Sequence, residues 1–375
     1  MKITVNYPCS EYTSYRTARV KSLFNVENAA FHKEVDLPIE GKDWKIGVVV
    51  GASGSGKSSV GRLLWPDTKP YQPKWPQNTP IIDAITPHDN FNAVTGALAA
   101  VGLGSVPTWL RSYQHLSNGE QFRADLAKIV CEAPKKVVID EFSSVIDRQI
   151  AKVGAGAFQK AWRRTGSQAV LLTCHYDVLD WLEPDWVLDM SDGSFTGSWL
   201  RQRPPLELEI WETNWRYWPL FEPHHYLKLP HMIAANCYVG VINGELVAHA
   251  AFSTRAGLVE ARACRLVIMP EWQGAGVGLR FLDAIAQQWR QGENRYHKPM
   301  PTLFHTSHPG LAMALRRSKK WTQVSASLCG GNKARSIKSI SKSSSLKQKP
   351  TASAGYGGHF RAVQGFRYLG EAQSP

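Results

Sequence analysis

Long apolar runs are missing from this 375-residue chain. No stretch approaches the roughly 18 to 20 uncharged apolar residues that span a bilayer. Residues 1–10 carry neither the apolar core nor the small-residue cleavage pattern of a secretory leader. The expectation is a cytoplasmic chain with no membrane span. Metal-ligand spacing is missing too. The six cysteines, at 9, 131, 174, 237, 264 and 329, form no CxxC or CxxH pair, which argues against structural zinc and predicts scattered reduced thiols. There is no internal repeat. Acidic residues nearly vanish from the last sixth, where Glu371 stands alone against twelve lysines and arginines in residues 312–375. That segment holds most of the chain's net charge of +13. Two readings stay open for it: a surface for a polyanion such as nucleic acid, whose counterions are released on binding, or a solvated segment that aids solubility.

What is present divides into two textures. Up to about residue 197, β-branched runs at 45–50, 136–140 and 169–173 alternate with helical patterns. Continuous apolar runs of this length suit strands buried on both faces of an α/β sheet. Residues 198–205, with two prolines, read as a linker between domains at 1–197 and 206–375. Beyond it, 238–242 and 245–252 flank Asn243-Gly244, the pattern of a hairpin with a type I′ turn. A strand at 263–269, a helix at 277–289, a strand at 302–306, a helix at 310–318 and a closing strand at 360–369 follow. A basic Ser/Lys-rich insertion at 332–353 has too little apolar content to fold.

The chemistry-bearing string of the first half is Gly51-Ala52-Ser53-Gly54-Ser55-Gly56-Lys57-Ser58, followed by Ser59. It matches GxxxxGK[ST] between a strand and a helical pattern. Glycines let successive N–H groups face phosphate oxygens, and the helix adds its positive N-terminal end. Lys57 is placed to reach the β- and γ-phosphates of ATP and Ser58 to hold Mg²⁺. Asp140, ending the next apolar strand, is placed to assist the Mg²⁺, and Glu141 beside it to polarise an attacking water. An acidic strand end alone would be ordinary. Leu116-Ser117-Asn118-Gly119-Glu120-Gln121, about twenty residues upstream, changes the weight of that evidence.

With these strings in order, the N-terminal half resembles an ABC-type ATPase. Residues 116–121 resemble the LSGGQ signature, with Asn118 and Glu120 as departures. Ser143-Ser144-Val145-Ile146-Asp147 stands where the family carries its D-loop, and Thr173-Cys174-His175 where it carries its switch histidine. The resemblance implies a head-to-tail homodimer in which Ser117 and Gly119 of one copy close over the ATP held by the other. It also implies Glu141 as general base, His175 at the γ-phosphate and Asp147 at the dimer seam. The family's Q-loop glutamine and adenine-stacking aromatic have Gln77 and Phe24 as candidates, with ordinary surface and core roles beside them. Only about sixty residues separate Lys57 from Ser117, little room for a subdomain that docks a permease, so a transporter subunit is the lesser reading.

In the second half, Val267-Ile268-Met269-Pro270-Glu271-Trp272-Gln273-Gly274-Ala275-Gly276-Val277-Gly278 runs from a strand through a glycine-rich turn into an amphipathic pattern. It resembles motif A of the GNAT acetyltransferases, met by Gln273, Gly276 and Gly278. The resemblance implies acetyl-CoA binding at Val267, Ile268 and residues 273–278. No tyrosine occupies 310–318, where the family's general acid often lies. His305, Ser307 and His308 remain acid–base candidates beside structural roles, and the adjacent pair His224-His225 points to different faces of any strand. Trp211, Trp215, Tyr217 and Trp218 read as packing, with base stacking as the alternative. The fold class expected is an α/β ABC-type P-loop ATPase domain followed by a GNAT-like α+β acyltransferase domain. The function expected is an ATP hydrolase coupled to an N-acyltransferase acting on or at nucleic acid. The alternative is a nucleic-acid-binding ATPase whose GNAT-like half is a recognition module without activity.

Overall fold

The computed structural model describes residues 1–7, 14–24, 31–86, 90–198, 204–226, 231–232, 234–254, 257, 259–327 and 362–370. The basic insertion at 332–353, most of the expected linker and the first two residues of the expected closing strand lie outside them. Strand β1 (Lys2–Tyr7), helix α1 (Tyr15–Phe24), β2 (Phe31–Asp36) and β3 (Ile46–Val50) lead to the glycine-rich loop and α2 (Lys57–Leu64). Four helices come next: α3 (Ile81–Ala84), α4 (Phe91–Ala100), α5 (Val106–Trp109) and α6 (Asn118–Glu132). Then follow β4 (Lys136–Ile139), α7 (Arg148–Trp162), β5 (Gln168–Thr173), α8 (Leu179–Leu182), β6 (Trp186–Asp189) and β7 (Phe195–Thr196). The rest comprises β8 (Glu209–Thr213), α9 (Trp218–Phe221), β9 (Asn236–Ile242), β10 (Glu245–Thr254), β11 (Ala261–Ile268) and α10 (Val277–Gln291). β12 (Thr302–Thr306), α11 (Pro309–Arg317), β13 (Trp321–Ser327) and β14 (Val363–Tyr368) complete it. The fold is mixed α/β.

Two compact units interleave along the sequence: residues 1–74, 132–146 and 158–204 form one, and 75–131, 147–157 and 205–375 the other. In the first, a sheet of order β4-β5-β3-β6-β7 is parallel except for β7. The run Ile46-Gly47-Val48-Val49-Val50 is buried at every residue, as a central parallel strand requires. Gly47 leaves room for the Trp186 ring, whose contact a Cβ would obstruct. Trp186 packs edge-on to Trp44 at 5.3 Å. Asp185 anchors the start of β3: its Oδ2 accepts from the N–H groups of Lys45 and Ile46 at 2.7 and 2.9 Å. Arg163 closes the same carboxylate with an ion pair of 2.9 Å. The antiparallel pair β1-β2 adds Ile3, Val5, Val35 and Leu37 to the core built on Val49, Val60 and Val138.

The second unit holds a seven-stranded sheet of order β13-β14-β12-β11-β10-β9-β8. Its pairs are antiparallel apart from β11 with β12. That parallel pair is joined through α10, whose face of Phe281, Leu282, Ile285, Ala286 and Trp289 is buried. Burial of such side chains contributes about 1.5 to 3 kcal/mol each. Pairing of β11 with β12 ends at Ala263 and Phe304, so the remainder of β11 has no β12 partner along that edge. Asn243 and Gly244 join β9 to β10 at φ of 52° and 80°, the positive values a type I′ turn demands. Helix α4 meets α11 through small residues: a Cβ on Gly310 would strike Ala99, and one on Gly96 would lie 3.0 Å from Met313 Cε.

Candidate nucleotide site

The chemistry-bearing residues of the first unit gather at one edge of its sheet. β3, β4 and β5 are parallel with β5 in the middle. Their carboxyl ends therefore bring the 51–58 loop, Asp140-Glu141 and His175 to the same edge. In α/β sheets that edge is where ligands bind. The loop curls through positive φ at Gly51, Gly54 and Gly56 (151°, 79° and 91°). A Cβ on Gly51 would come within 2.9 Å of Met190 Cβ and 3.0 Å of Ser55 Oγ, so the first glycine is required by space as well as by angle. Gly56 caps α2 with no side-chain hydrogen bond, which leaves the helix's positive end open toward the loop. Ser53 and Gly54 are exposed at its tip.

Lys57 folds back so that its Nζ donates to the carbonyls of Gly51 and Ala52 at 2.8 and 2.7 Å. A lysine lying over the loop it is expected to complete holds its charge where phosphate oxygens would lie. Ser55 Oγ is buried with no hydrogen-bond partner, an orphan of the kind a polyphosphate would satisfy. The neighbouring Ser59 hydroxyl is bonded to the Tyr7 hydroxyl of β1. α2 lies close on the sheet because residue 61 is glycine: a Cβ there would meet Leu172 Cδ1 and Val138 Cγ1 at 3.0 and 3.1 Å.

Opposite the loop, Asp140 Oδ1 accepts the N–H of Glu141 at 2.9 Å. Glu141 and Ser143 hold φ of 53° and 65° without being glycine, a cost of roughly 1 kcal/mol or more each that tends to collect at working sites. The turn is held from β5: Phe142 N–H donates to Leu172 O at 2.9 Å, and Thr173 Oγ1 donates to Phe142 O at 3.0 Å. The same Thr173 oxygen accepts the N–H of His175 at 3.1 Å. Thr173 thus sets Glu141 and His175 from a single side chain. Sequence reading passed over it, because a threonine ending a strand carries no motif. His175 Nε2 is buried without a hydrogen-bond partner, a second orphan at this edge. The donor set fits a nucleotide triphosphate, with Ser58 and Asp140 as the residues that would hold Mg²⁺.

Other expected residues lie in the second unit or on the surface. Ser117 caps α6 in a box with Glu120: Glu120 Oε2 accepts the Ser117 N–H at 2.9 Å, and the Glu120 N–H donates to Ser117 Oγ at 3.4 Å. The departure at Glu120 therefore has a structural use. Gly119 packs on Ile150, 2.9 Å from where its Cβ would stand. Asp147 caps α7 by accepting from Gln149 and Ile150 N–H at 2.9 and 3.2 Å. Gln77 is exposed, and its carbonyl accepts from Thr79 Oγ1 at 3.3 Å. Phe24 ends α1 with 72% of its surface exposed.

In the glycine-rich turn, Gly276 caps α10 at φ 85° and a Cβ there would meet nothing. Gly278 sits 3.1 Å, as a built Cβ, from Ile268 Cγ1. Gln273 is already engaged: its Oε1 accepts the Gly104 N–H and its Nε2 donates to Ile268 O, both at 3.0 Å. Val267 pairs with His249 of β10, while the other edge of β11 is unpaired there. The open turn at Gly276 and this free edge fit a coenzyme diphosphate and its arm. The Gln273 side chain, held on both sides, is not free to help.

His308 is committed to structure. Its Nδ1 accepts the Leu311 N–H at 3.2 Å while Nε2 lies 2.8 Å from Gly104 O. A carbonyl can only accept, so Nε2 carries the proton and the ring is neutral; burial lowers its pKa. Ser307 donates to Ala362 O at 2.6 Å. His225 is buried beside Trp218 and His224 is exposed, as opposite faces require. Trp215 and Trp218 pack in a core with Phe221, Val239 and Val267, whereas Trp211 is exposed. Burial, with His225 nearby, holds the His249 imidazole down at about 4. Among the described residues no His/Cys/Asp/Glu group could hold a metal by itself, and no helix is long and apolar enough to cross a membrane.

No protein-family model and no curated protein matches the chain. Solved structures that resemble it are ABC cassettes. One is CbiO1 of Clostridium perfringens, part of the ABC transporter complex CbiONQ, at 16% identity over 40% of this chain and 75% of that one, with a TM-score of 0.32. Another is a dimeric bacterial ABC transporter cassette, at 14% identity over 44% and 89%, with a TM-score of 0.35. A third is an ATP-binding cassette in a post-hydrolysis state bound to ADP and Pi, at 14% identity over 52% and 98%, with a TM-score of 0.38. At TM-scores this low the likeness carries no functional weight, and the chain's own residues must.

Proposed function

We propose that this protein is an ABC-type ATPase whose C-terminal part is a GNAT-like acyltransferase, and that it works as a homodimer with ATP between copies. The observation that carries the ATPase reading is the convergence of the 51–58 loop, Asp140-Glu141 and His175 at one sheet edge, with Thr173 holding the last two. Bound Mg²⁺ supplies charge neutralisation at the phosphates, and Ser58 and Asp140 would hold it. Lys57 leaves the Gly51 and Ala52 carbonyls for the phosphates. Glu141 orients the attacking water and accepts its proton, and His175 donates toward the γ-phosphate. Ser117 and Gly119 close the site from the second copy, with Asp147 at the seam.

The acyltransferase reading is supported by the antiparallel sheet with a single parallel pair, the parting of β11 from β12 after Ala263, and the open turn at Gly276 before α10. Val267, Ile268 and residues 273–278 would hold acetyl-CoA, which supplies the acyl group. The basic segment near the C-terminus favours a nucleic acid as the surface on which the acceptor is presented. The packing of α4 on α11 occupies one face of the helical segment, which favours a fused enzyme over a transporter subunit. The test is calorimetry of the full chain with ATP and acetyl-CoA separately. Binding of both supports the proposal. ATP alone leaves an ATPase with a recognition module, and neither ligand refutes it.

A further inference from the structure

Within the second unit, a pocket of about 340 Å³ opens at the N-terminal end of α6. Its volume suits a small polar ligand. Ser117 and Gly119 of the signature line one side and the exposed Arg111 and His224 the rim. The back wall is Pro270, Glu271 and Gln273, the entrance to the glycine-rich turn. The pocket thus joins the motif expected to meet a partner's nucleotide to the motif expected to hold a coenzyme.

Electrostatics favour an anion there. The positive end of a fifteen-residue helix faces it, with Arg111 and Arg123 in the lining. Glu120 also lines it, but both its oxygens are taken, Oε1 by the Thr108 hydroxyl at 2.9 Å and Oε2 by the Ser117 N–H. Glu271 is the remaining acid. Arg123, only 4% exposed, forms the link between the walls. Its Nη1 donates to Gly102 O and to Pro270 O, each at 2.6 Å, and its Nη2 to Glu271 O at 3.3 Å. Its Nε is buried with no hydrogen-bond partner. Those carbonyls are partial charges only, and a buried cation held by them gains from an arriving anion. Any shift of the guanidinium also moves Pro270 and Glu271, which lead directly into residues 272–278. The far side of the turn is pinned: Gln273 and His308 hold the N–H and the carbonyl of Gly104.

We propose that this pocket is a polyphosphate sensor: the triphosphate end of a nucleotide held by a second copy enters it, and Arg123 conveys its presence to the glycine-rich turn at 270–278. The inference rests on the ATPase reading above but not on acetyl-CoA binding. It makes the nucleotide state of the dimer a regulator of whatever the turn holds.

Amide hydrogen exchange of the full-length protein, with and without Mg²⁺ and the non-hydrolysable analogue AMP-PNP, tests it. The wild type should show slowed exchange at 51–58 and, in the same sample, a change of about fivefold or more at 270–278, the lower range of measured site couplings. Arg123→Lys keeps the cation but loses the fork that spans three carbonyls. It should retain the response at 51–58 and lose that at 270–278. Should that variant fail to fold, the double variant Arg111→Ala/His224→Ala alters exposed rim residues and should weaken the response at 270–278 severalfold with 51–58 unaffected. A wild type that responds at 51–58 and not at 270–278 overturns the sensor alone, as does a full response at 270–278 in either variant. No response at either segment overturns the nucleotide reading, and the sensor with it.

Discussion

Lys57 and Glu141 carry separable tasks, so their substitutions have different signatures. Lys57→Ala removes the cation that the loop carbonyls now hold, and ATP affinity should fall below detection by calorimetry; wild-type affinity would contradict the loop's assignment. Thr173 offers a sharper test of the geometry. Thr173→Val keeps the shape and removes the hydroxyl that bonds Phe142 O and the His175 N–H. Turnover should drop about tenfold or more while KM for ATP changes little; an unaltered kcat would show that the link is ornamental. A third substitution concerns His249. Its folded pKa of about 4 lies below the ordinary 6.5, so the fold favours the neutral ring. That contribution is complete above pH 6.5 and is lost as pH falls through 4. His249→Phe should therefore flatten the decline of the thermal midpoint between pH 6.5 and 4, and an identical pH profile in the variant would refute the assignment.

The elements show what the sequence made legible and what it hid. β3, β5, the β9-β10 hairpin, α10, β12 and α11 were legible because each has an unbroken apolar run, a turn dipeptide or a strong amphipathic period. β8 and β13 were not: they are edge strands with mostly exposed residues, and no apolar alternation announces them. β1 and β2 alternate only weakly, because a two-stranded layer over α2 buries few residues. The glycine-rich loop and the signature were legible as strings, and the loop's φ values follow from its glycines. Arg123 was invisible, since the carbonyls it binds lie 147 and 148 residues away in sequence. Gly102 was hidden for the same reason: at φ 85° its Cβ would strike Gln273 O. Gly102→Ala should cost on the order of 2 to 4 kcal/mol by overpacking and strain. Gly41→Ala, with open space around it, should cost about 1 kcal/mol. Equal thermal midpoints for the two variants would contradict the close approach.

For the molecule as a whole, the interleaving of the two units bears on truncation and on coupling. Residues 75–131 belong in one compact body with the C-terminal sheet, so the signature helix and the glycine-rich turn respond together. Cutting the chain near residue 200 would strip that sheet of α4 and α6, and the isolated C-terminal piece should lose cooperative melting; a sharp transition would argue otherwise. The charged segment beyond residue 331 acts at the same level. Removing residues 336–350, which carry Lys338, Lys342, Lys347 and Lys349, should flatten the salt dependence of nucleic-acid binding by several units of log–log slope. An unchanged slope would exclude contact through these lysines. Whether ATP is bound and cleaved at the edge shared by β3, β4 and β5 is decided by phosphate release and nucleotide occupancy, measured together for wild type and Glu141→Gln. ATP binding should be comparable in both, release at least a hundredfold slower in the variant, and an ATP-bound dimer should accumulate. Release at the wild-type rate from Glu141→Gln, or a wild type that takes up no ATP, would refute cleavage at that edge.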